Sequence, residues 1–393
     1  MPSTEQVRTS IDEVLERAVE SGGVPNVVAI AADRDGVIYE GAAGPRVAGE
    51  SDPIGVDTHF RIMSMTKMVA TVAALRLMER GALDFDAPIE QYCPEWANLQ
   101  VLEGFEGDQP RLRPPASKAT VKQLVTHTTG LSYWFWNPDI VRWEALTGTP
   151  NVLSGEKVIF TAPLVADPGT RFEYGINTDW LGQVIEAASG STLDAVIADN
   201  ITGPLGMTET AFLMTPDQRA KSVPIHLKGE DGSWAASDIE LRQDPEYWAG
   251  GHGLHSTPRD YLKFQRALLG NGTSPDGVKI LDTDTVEAAF TNQIGELDFP
   301  ATIPSADPAS TMDFNAGPGH KWGYGLLLNT QDVPGARRAW SGAWAGLLNT
   351  HFWVDRTTGV TGAIYTQFLP FVTPAAMQMY QDFEHALYAS LYP

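Results

Sequence analysis

The chain has 393 residues, 43% of them hydrophobic and 19% charged, and a formal net charge of -22 from 27 Lys+Arg against 49 Asp+Glu. That length accommodates one large domain or two, with an extensive core in either case. The acidic surplus repels phosphate backbones and anionic membrane surfaces, which excludes nucleic acid and membrane as expected partners.

The N-terminal stretch places Val7, Ile11, Val14, Leu15 and Ala18 at helical spacing, with Asp12, Glu13, Glu16 and Arg17 on the wet side. It lacks the basic start and apolar block of a signal peptide, and no later run is long enough to span a bilayer, so a cytoplasmic location is expected. Asn26 to Ala32 and Val37 to Ala42 are apolar runs around Asp33-Arg34-Asp35-Gly36, which reads as a hairpin. The middle of the chain reads as helices separated by long loops: Met65 to Arg80, Val121 to His127, Asp179 to Ala188, Leu193 to Asp199, Arg259 to Leu269 and Thr283 to Phe290. Lys321 to Asn329, Arg338 to Ser341, Leu347 to Asp355 and Val360 to Gln367 read as strands, and Thr373-Pro374 opens a last helix. The simplest assembly is an α/β (α+β) fold: an antiparallel sheet from both termini (residues 1–62 and 320–393) flanked by helices, with a mostly helical part (residues 63–319) and the active site between them.

The chemistry begins at Ser64-Met65-Thr66-Lys67, where the strong helix starts. Residues three apart on a helix share a face, so Ser64 and Lys67 point the same way. A serine hydroxyl needs a base to become a nucleophile, and a lysine serves if burial or a neighbouring cation keeps it neutral. Ser-x-x-Lys alone is weak: Ser154-Gly155-Glu156-Lys157 matches too, and reads as a cap and an exposed turn. No Gly-x-Ser-x-Gly occurs, so a nucleophile elbow is absent. Cys93 is the one cysteine, which excludes an internal disulfide and a thiolate cage; it reads as a small, partly buried hydrophobe. His252-Gly253-Leu254-His255 lacks a third ligand, so no metal is expected, and no cofactor. Tyr133-Trp134-Phe135-Trp136 reads either as the wall of an apolar pocket, with Trp134 and Phe135 binding substrate, or as plain packing.

Phe60 to Lys67 followed by Leu75 to Asp84, then Leu124 to Leu131, Gly203 to Met207, Gly250 to Thr257 and Trp340 to Val354, together resemble the serine β-lactamase and penicillin-binding superfamily. The class C branch fits best, and within it the family VIII carboxylesterases. The resemblance implies that Tyr174, in Arg171-Phe172-Glu173-Tyr174 before a helix, is the partner of Ser64 and Lys67, its phenol made more acidic by that lysine. β-Lactamases usually have Tyr-x-Asn; here the sequence is Tyr174-Gly175-Ile176-Asn177, and Asn177 reads as a helix cap. Trp340-Ser341-Gly342 is taken as the counterpart of Lys-Thr-Gly, with Trp340 removing the charge that holds a carboxylate and Gly342 letting substrate pass close. The N–H groups of Ser64 and Ala343 would then form the oxyanion hole.

The expected activity is hydrolysis of short-chain or aromatic carboxylic esters through an acyl-Ser64 intermediate. The alternatives are an amidase or D-aminopeptidase, an acyltransferase of the same superfamily and, less favoured for want of the lysine, a β-lactamase. The expected partner is a small-molecule ester; the sequence leaves a homodimer open.

Overall fold

Apolar runs near the two ends of the chain pair with each other to build the main sheet. A computed structural model describes residues 4–392. In it seven antiparallel strands lie in the order His320–Trp322, Leu327–Asn329, Gly342–Gly346, Thr350–Asp355, Val360–Tyr365, Val27–Asp33 and Val37–Ala43. The register Val28↔Tyr365 to Asp33↔Val360 joins the N-terminal and C-terminal strands. The Asp33 carboxylate accepts the N–H groups of Asp35 and Gly36, closing the first hairpin as an Asx turn.

Side-chain alternation gives the sheet two buried faces. Val27, Ala29, Trp353 and Ile364 meet Ile11, Leu15, Phe383 and Leu387 of the terminal helices Thr4–Glu20 and Pro374–Leu391. Val28, Ile30, Phe352 and Tyr365 meet Phe60, Met68, Tyr261 and Phe264 on the other side. The expected contribution of Val7 lies outside the described side chains. Pro374 opens its helix as read, with Thr373 accepting the Ala376 N–H. Between sheet and helical part runs the Thr66–Glu79 helix, buried around most of its circumference from Thr66 to Leu75 and ended at Gly81, whose φ is 70°. Among the described residues no helix is long and apolar enough to cross a membrane.

Three strand expectations are corrected. Lys321 to Asn329 is a hairpin rather than one strand, because Gly323-Tyr324-Gly325 turns the chain, with Gly325 at φ 75°. Arg338 to Ser341 lies outside the sheet; the strand is the following Gly342-Ala343-Trp344-Ala345-Gly346, whose small residues carry little strand signal. Leu347 to Asn349 form the turn into Thr350–Asp355, with Asn349 at φ 62° and its N–H on Gly346 O.

Candidate active site

Ser64 sits in a 3-10 turn, Met63–Met65, that feeds directly into the Thr66–Glu79 helix. Met63 adopts φ 46°, a left-handed conformation rare outside glycine, so the surrounding packing holds the turn against its local preference. Lys67 projects back to the turn as its spacing predicts, with Nζ 3.0 Å from Ser64 Oγ. The same amine donates to the Tyr133 hydroxyl at 2.9 Å and to Gly251 O at 2.8 Å. Those three acceptors satisfy an ammonium; a neutral amine instead presents its lone pair to the Ser64 proton. Burial disfavours the charged form and brings Lys67 down to about 7, with the Asp179 carboxylate offsetting part of that. Asp179 is itself buried and pushed up to about 6, Lys67 pulling the other way; its Oδ1 accepts the Gly251 N–H at 3.0 Å.

The structure brings Tyr174 to the same point. Its ring centroid lies 4.8 Å from Lys67 Nζ and its hydroxyl accepts from Trp344 Nε1 at 3.1 Å. Burial raises the Tyr174 phenol, and hydrogen bonds from Ser64 and Trp344 counter only part of the rise. The expected acidification of this phenol by Lys67 is thus corrected: the enclosure that neutralises the lysine also keeps the phenol protonated. Asn177 does not cap its helix. Fully buried, it bonds Thr129 Oγ1 at 2.5 Å and His127 Nδ1 at 3.0 Å, and the His127 ring packs at 4.8 Å on Tyr174. It braces the loop that carries the phenol.

A cavity of about 250 Å³ opens above Ser64, its lining shared with Phe135, Trp136, Tyr174, Trp344 and Leu347. Of the aromatic run, Phe135 faces the cavity as expected. Trp134 is corrected: it is buried outside that lining and ties down a loop through Nε1 to Asp307 Oδ2 at 3.0 Å and Ser310 Oγ at 3.3 Å.

The Trp-x-Gly assignment is corrected as well. Trp340 lies before the strand at φ 65°, is 45% exposed and takes no part in the cavity lining. Trp344-Ala345-Gly346, four residues on, is the triplet that meets Tyr174. Gly342 faces the core, where an added Cβ would lie 2.7 Å from Leu326 and Phe290 side chains, so it passes no substrate. Gly346 is the close-approach position: a Cβ there would run into Ile62 O, beside the turn that carries Ser64. Ala343 lines the cavity, yet it has strand partners on both edges, Leu327 and Trp353, so its N–H belongs to the sheet rather than to an oxyanion hole. The pairing with Leu327–Asn329 stops at Ala343. Gly346 O turns toward Asn349. By alternation, the N–H groups of Ala345 and Leu347 lie on the unpaired edge, and both residues line the cavity with Ser64.

His252 and His255 are buried and neutral, each brought down to about 3 by burial first and then by Lys67 and Arg61 respectively. Among the described residues no three His, Cys, Asp or Glu side chains are placed to hold a metal. Sequence reasoning missed Tyr133 as a Lys67 partner, Asp179 and Trp344. An acid in the first turn of the Asn177–Ser189 helix reads as a helix-dipole partner, which hid Asp179. For Trp344 a signal existed, a Trp-x-Gly triplet only four residues beyond Trp340.

A serine and lysine one helical turn apart, a phenol facing both and an antiparallel sheet made from the two chain ends define a β-lactamase-fold serine enzyme. The chain belongs to the Beta-lactamase family, whose profile matches residues 11–387. It is 33% identical over 397 residues to a lovastatin esterase from Penicillium rubens, covering 96% of this chain and 98% of that protein. It is 31% identical over 408 residues to a monacolin J acid methylbutanoyltransferase from Aspergillus terreus, covering 96% and 95%. An unliganded structure of simvastatin synthase from Aspergillus terreus superposes with a TM-score of 0.84 at 29% identity over 100% of both chains. EstCE1, described as a hydrolase with promiscuous acyltransferase activity, shares the fold at a TM-score of 0.78 and 20% identity, covering 98% of this chain and 99% of its own. The chain is therefore an enzyme of the serine hydrolase and acyltransferase class.

Proposed function

We propose that the protein cleaves neutral carboxylic esters through an acyl-Ser64 intermediate, its preferred substrates carrying a bulky apolar or aromatic part. The observation that carries this reading is the 3.0 Å contact between Lys67 and Ser64 below a largely apolar cavity. Among the described residues the one cation in the cavity lining, Arg337, is paired with Glu384, so little remains to hold a substrate carboxylate. The cavity has room for more than a short chain, which widens the sequence-based expectation of short-chain esters.

Lys67 acts as the base. Its neutral amine takes the Ser64 proton as Oγ attacks the ester carbonyl. The Ser64 N–H and the free-edge N–H groups of Ala345 and Leu347 receive the developing oxyanion. Tyr174, still a phenol, gives its proton to the leaving alkoxide and recovers one from Lys67. Water, activated by the same pair, then releases the acid and restores Ser64.

The test compares p-nitrophenyl acetate and butyrate with a chromogenic cephalosporin, for wild type and Ser64→Ala. Ester turnover that disappears in the variant, with little cephalosporin cleavage, supports the assignment; ester turnover that survives in Ser64→Ala refutes it. Acyl transfer is a second reading, favoured by the methylbutanoyltransferase relative. Adding an alcohol acceptor separates the two: a transferase releases the phenol faster and makes a new ester, whereas a hydrolase yields mainly free acid. A matched amide substrate tests the amidase alternative.

A further inference from the structure

The cavity above Ser64 has a polar far end, at Arg337, His351, Tyr380 and Glu384. Arg337 sends Nε and Nη2 to the two Glu384 oxygens at 2.7 and 2.6 Å, and Nη2 also to the Tyr380 hydroxyl at 2.8 Å. Its Nη1 has no hydrogen-bond partner among the described residues and is not a sealed-off atom. Beside it His351 is 4% exposed, its ring stacked between Tyr380 at 4.7 Å and Phe371 at 5.7 Å. His351 Nε2 is buried with no hydrogen-bond partner, although nearly all buried polar atoms have one. Burial, and then the Arg337 charge, hold His351 far below the ordinary histidine range, so the ring is a neutral imidazole.

These groups serve no step of the ester chemistry. They sit one strand from the nucleophile side of the sheet: His351 is the register partner of Ala345, next to Trp344. Glu384 already balances the Arg337 charge, so a substrate carboxylate gains little here. A hydroxyl suits the pair, because its oxygen accepts from Arg337 Nη1 while its hydrogen reaches an imidazole lone pair. We propose that the far end of the cavity is a second recognition site, holding a neutral hydroxyl that the substrate carries at the end remote from its ester bond. The inference rests on the Ser64 ester chemistry proposed above and names the kind of ester that chemistry serves.

The experiment measures kcat/KM for a homologous series of ω-hydroxyalkyl acetates and for the matching alkyl acetates. Wild type, His351→Phe and Arg337→Lys are compared. His351→Phe keeps the stacked ring, and Arg337→Lys keeps the charge beside Glu384 while losing the guanidinium fork. The readout is the ratio of hydroxyl to alkyl ester at each length, which does not depend on how much of a variant folds. In wild type the ratio is expected to peak at one chain length, and each variant to lower that peak about tenfold, the scale of one buried hydrogen bond. A flat wild-type ratio, or a peak unchanged in both variants, overturns the second site and leaves the Ser64 assignment standing. No turnover of any ester in the series overturns both.

Discussion

Trp344 donates its indole N–H to the hydroxyl of Tyr174 at 3.1 Å, at the point where the sheet edge meets the nucleophile turn. The family resemblance leads to the expectation of a Lys-Thr-Gly strand that meets a substrate carboxylate; here an uncharged donor occupies the strand and is already bonded to the phenol. The strand thus places an uncharged side chain at the site, and its contact fixes the orientation of the Tyr174 phenol. Trp344→Phe, which keeps the ring and loses the N–H, is expected to lower kcat/KM for p-nitrophenyl butyrate about tenfold. Trp340→Phe is expected to leave it within about twofold, since that side chain is 45% exposed and outside the cavity lining. Equal losses in the two variants would remove Trp344 from the site.

These two tryptophans also show what the sequence discloses. The Ser64–Lys67 pair was legible because helix periodicity fixes which residues share a face, whereas Tyr174 was legible only through the family resemblance, its own surroundings departing from the Tyr-x-Asn pattern. The choice between Trp340-Ser341-Gly342 and Trp344-Ala345-Gly346 was not, because both satisfy Trp-x-Gly. Only strand register separates them, and a strand of Gly, Ala and one Trp announces neither its start nor its end. Asp179 and Tyr133 were hidden for another reason. Their proximity to Lys67 arises from two separate segments folding onto one helix, a long-range property that no local pattern carries.

Asp179 supplies the second prediction. Lys67 must be neutral to accept the Ser64 proton, so the rate rises with pH as the lysine loses its charge, near 7. The buried Asp179 carboxylate raises the lysine, and removing that charge lets it fall further. Asp179→Asn is therefore expected to move the acid limb of the kcat/KM profile to lower pH, because the base is free sooner. The apparent midpoint belongs to the coupled pair, so its displacement is the quantity to read. A limb that stays in place, or moves to higher pH, contradicts Lys67 as the titrating base.

Two glycines on the same strand separate catalysis from stability. At Gly346 a methyl would press on Ile62 O and Met63, beside Ser64, so Gly346→Ala is expected to displace the strand from the nucleophile. A misplacement of that kind costs activity about a hundredfold, with a smaller effect on Tm. At Gly342 the methyl would meet Leu326 and Phe290 in the core, where overpacking costs about 1–3 kcal/mol. Gly342→Ala is expected to lower Tm more than it lowers the specific activity of the folded fraction. Thermal melts and kcat/KM on both variants decide it; the reverse ordering would mean that Gly342, not Gly346, faces the nucleophile.

Acid should weaken this fold well before its carboxylates are protonated. His252, His255 and His351 are each brought down to about 3, and His127 is well below its ordinary value; burial is the first cause in all four. In the unfolded chain the same rings titrate near 6.5. Above that pH they are neutral in both states and cost nothing. Below it the unfolded chain binds protons that the folded one refuses, so stability falls as pH falls, from about 6.5 toward about 3. Each ring contributes up to about 1.4 kcal/mol per pH unit across that window. Denaturant midpoints at pH 7.5 and 5.5 check this: the lower pH is expected to be clearly less stable, and His351→Phe to recover part of the difference. A midpoint as high at pH 5.5 as at pH 7.5 would mean that the folded protein accommodates these protons, and that the buried imidazoles, including the one at the far end of the cavity, are not held neutral.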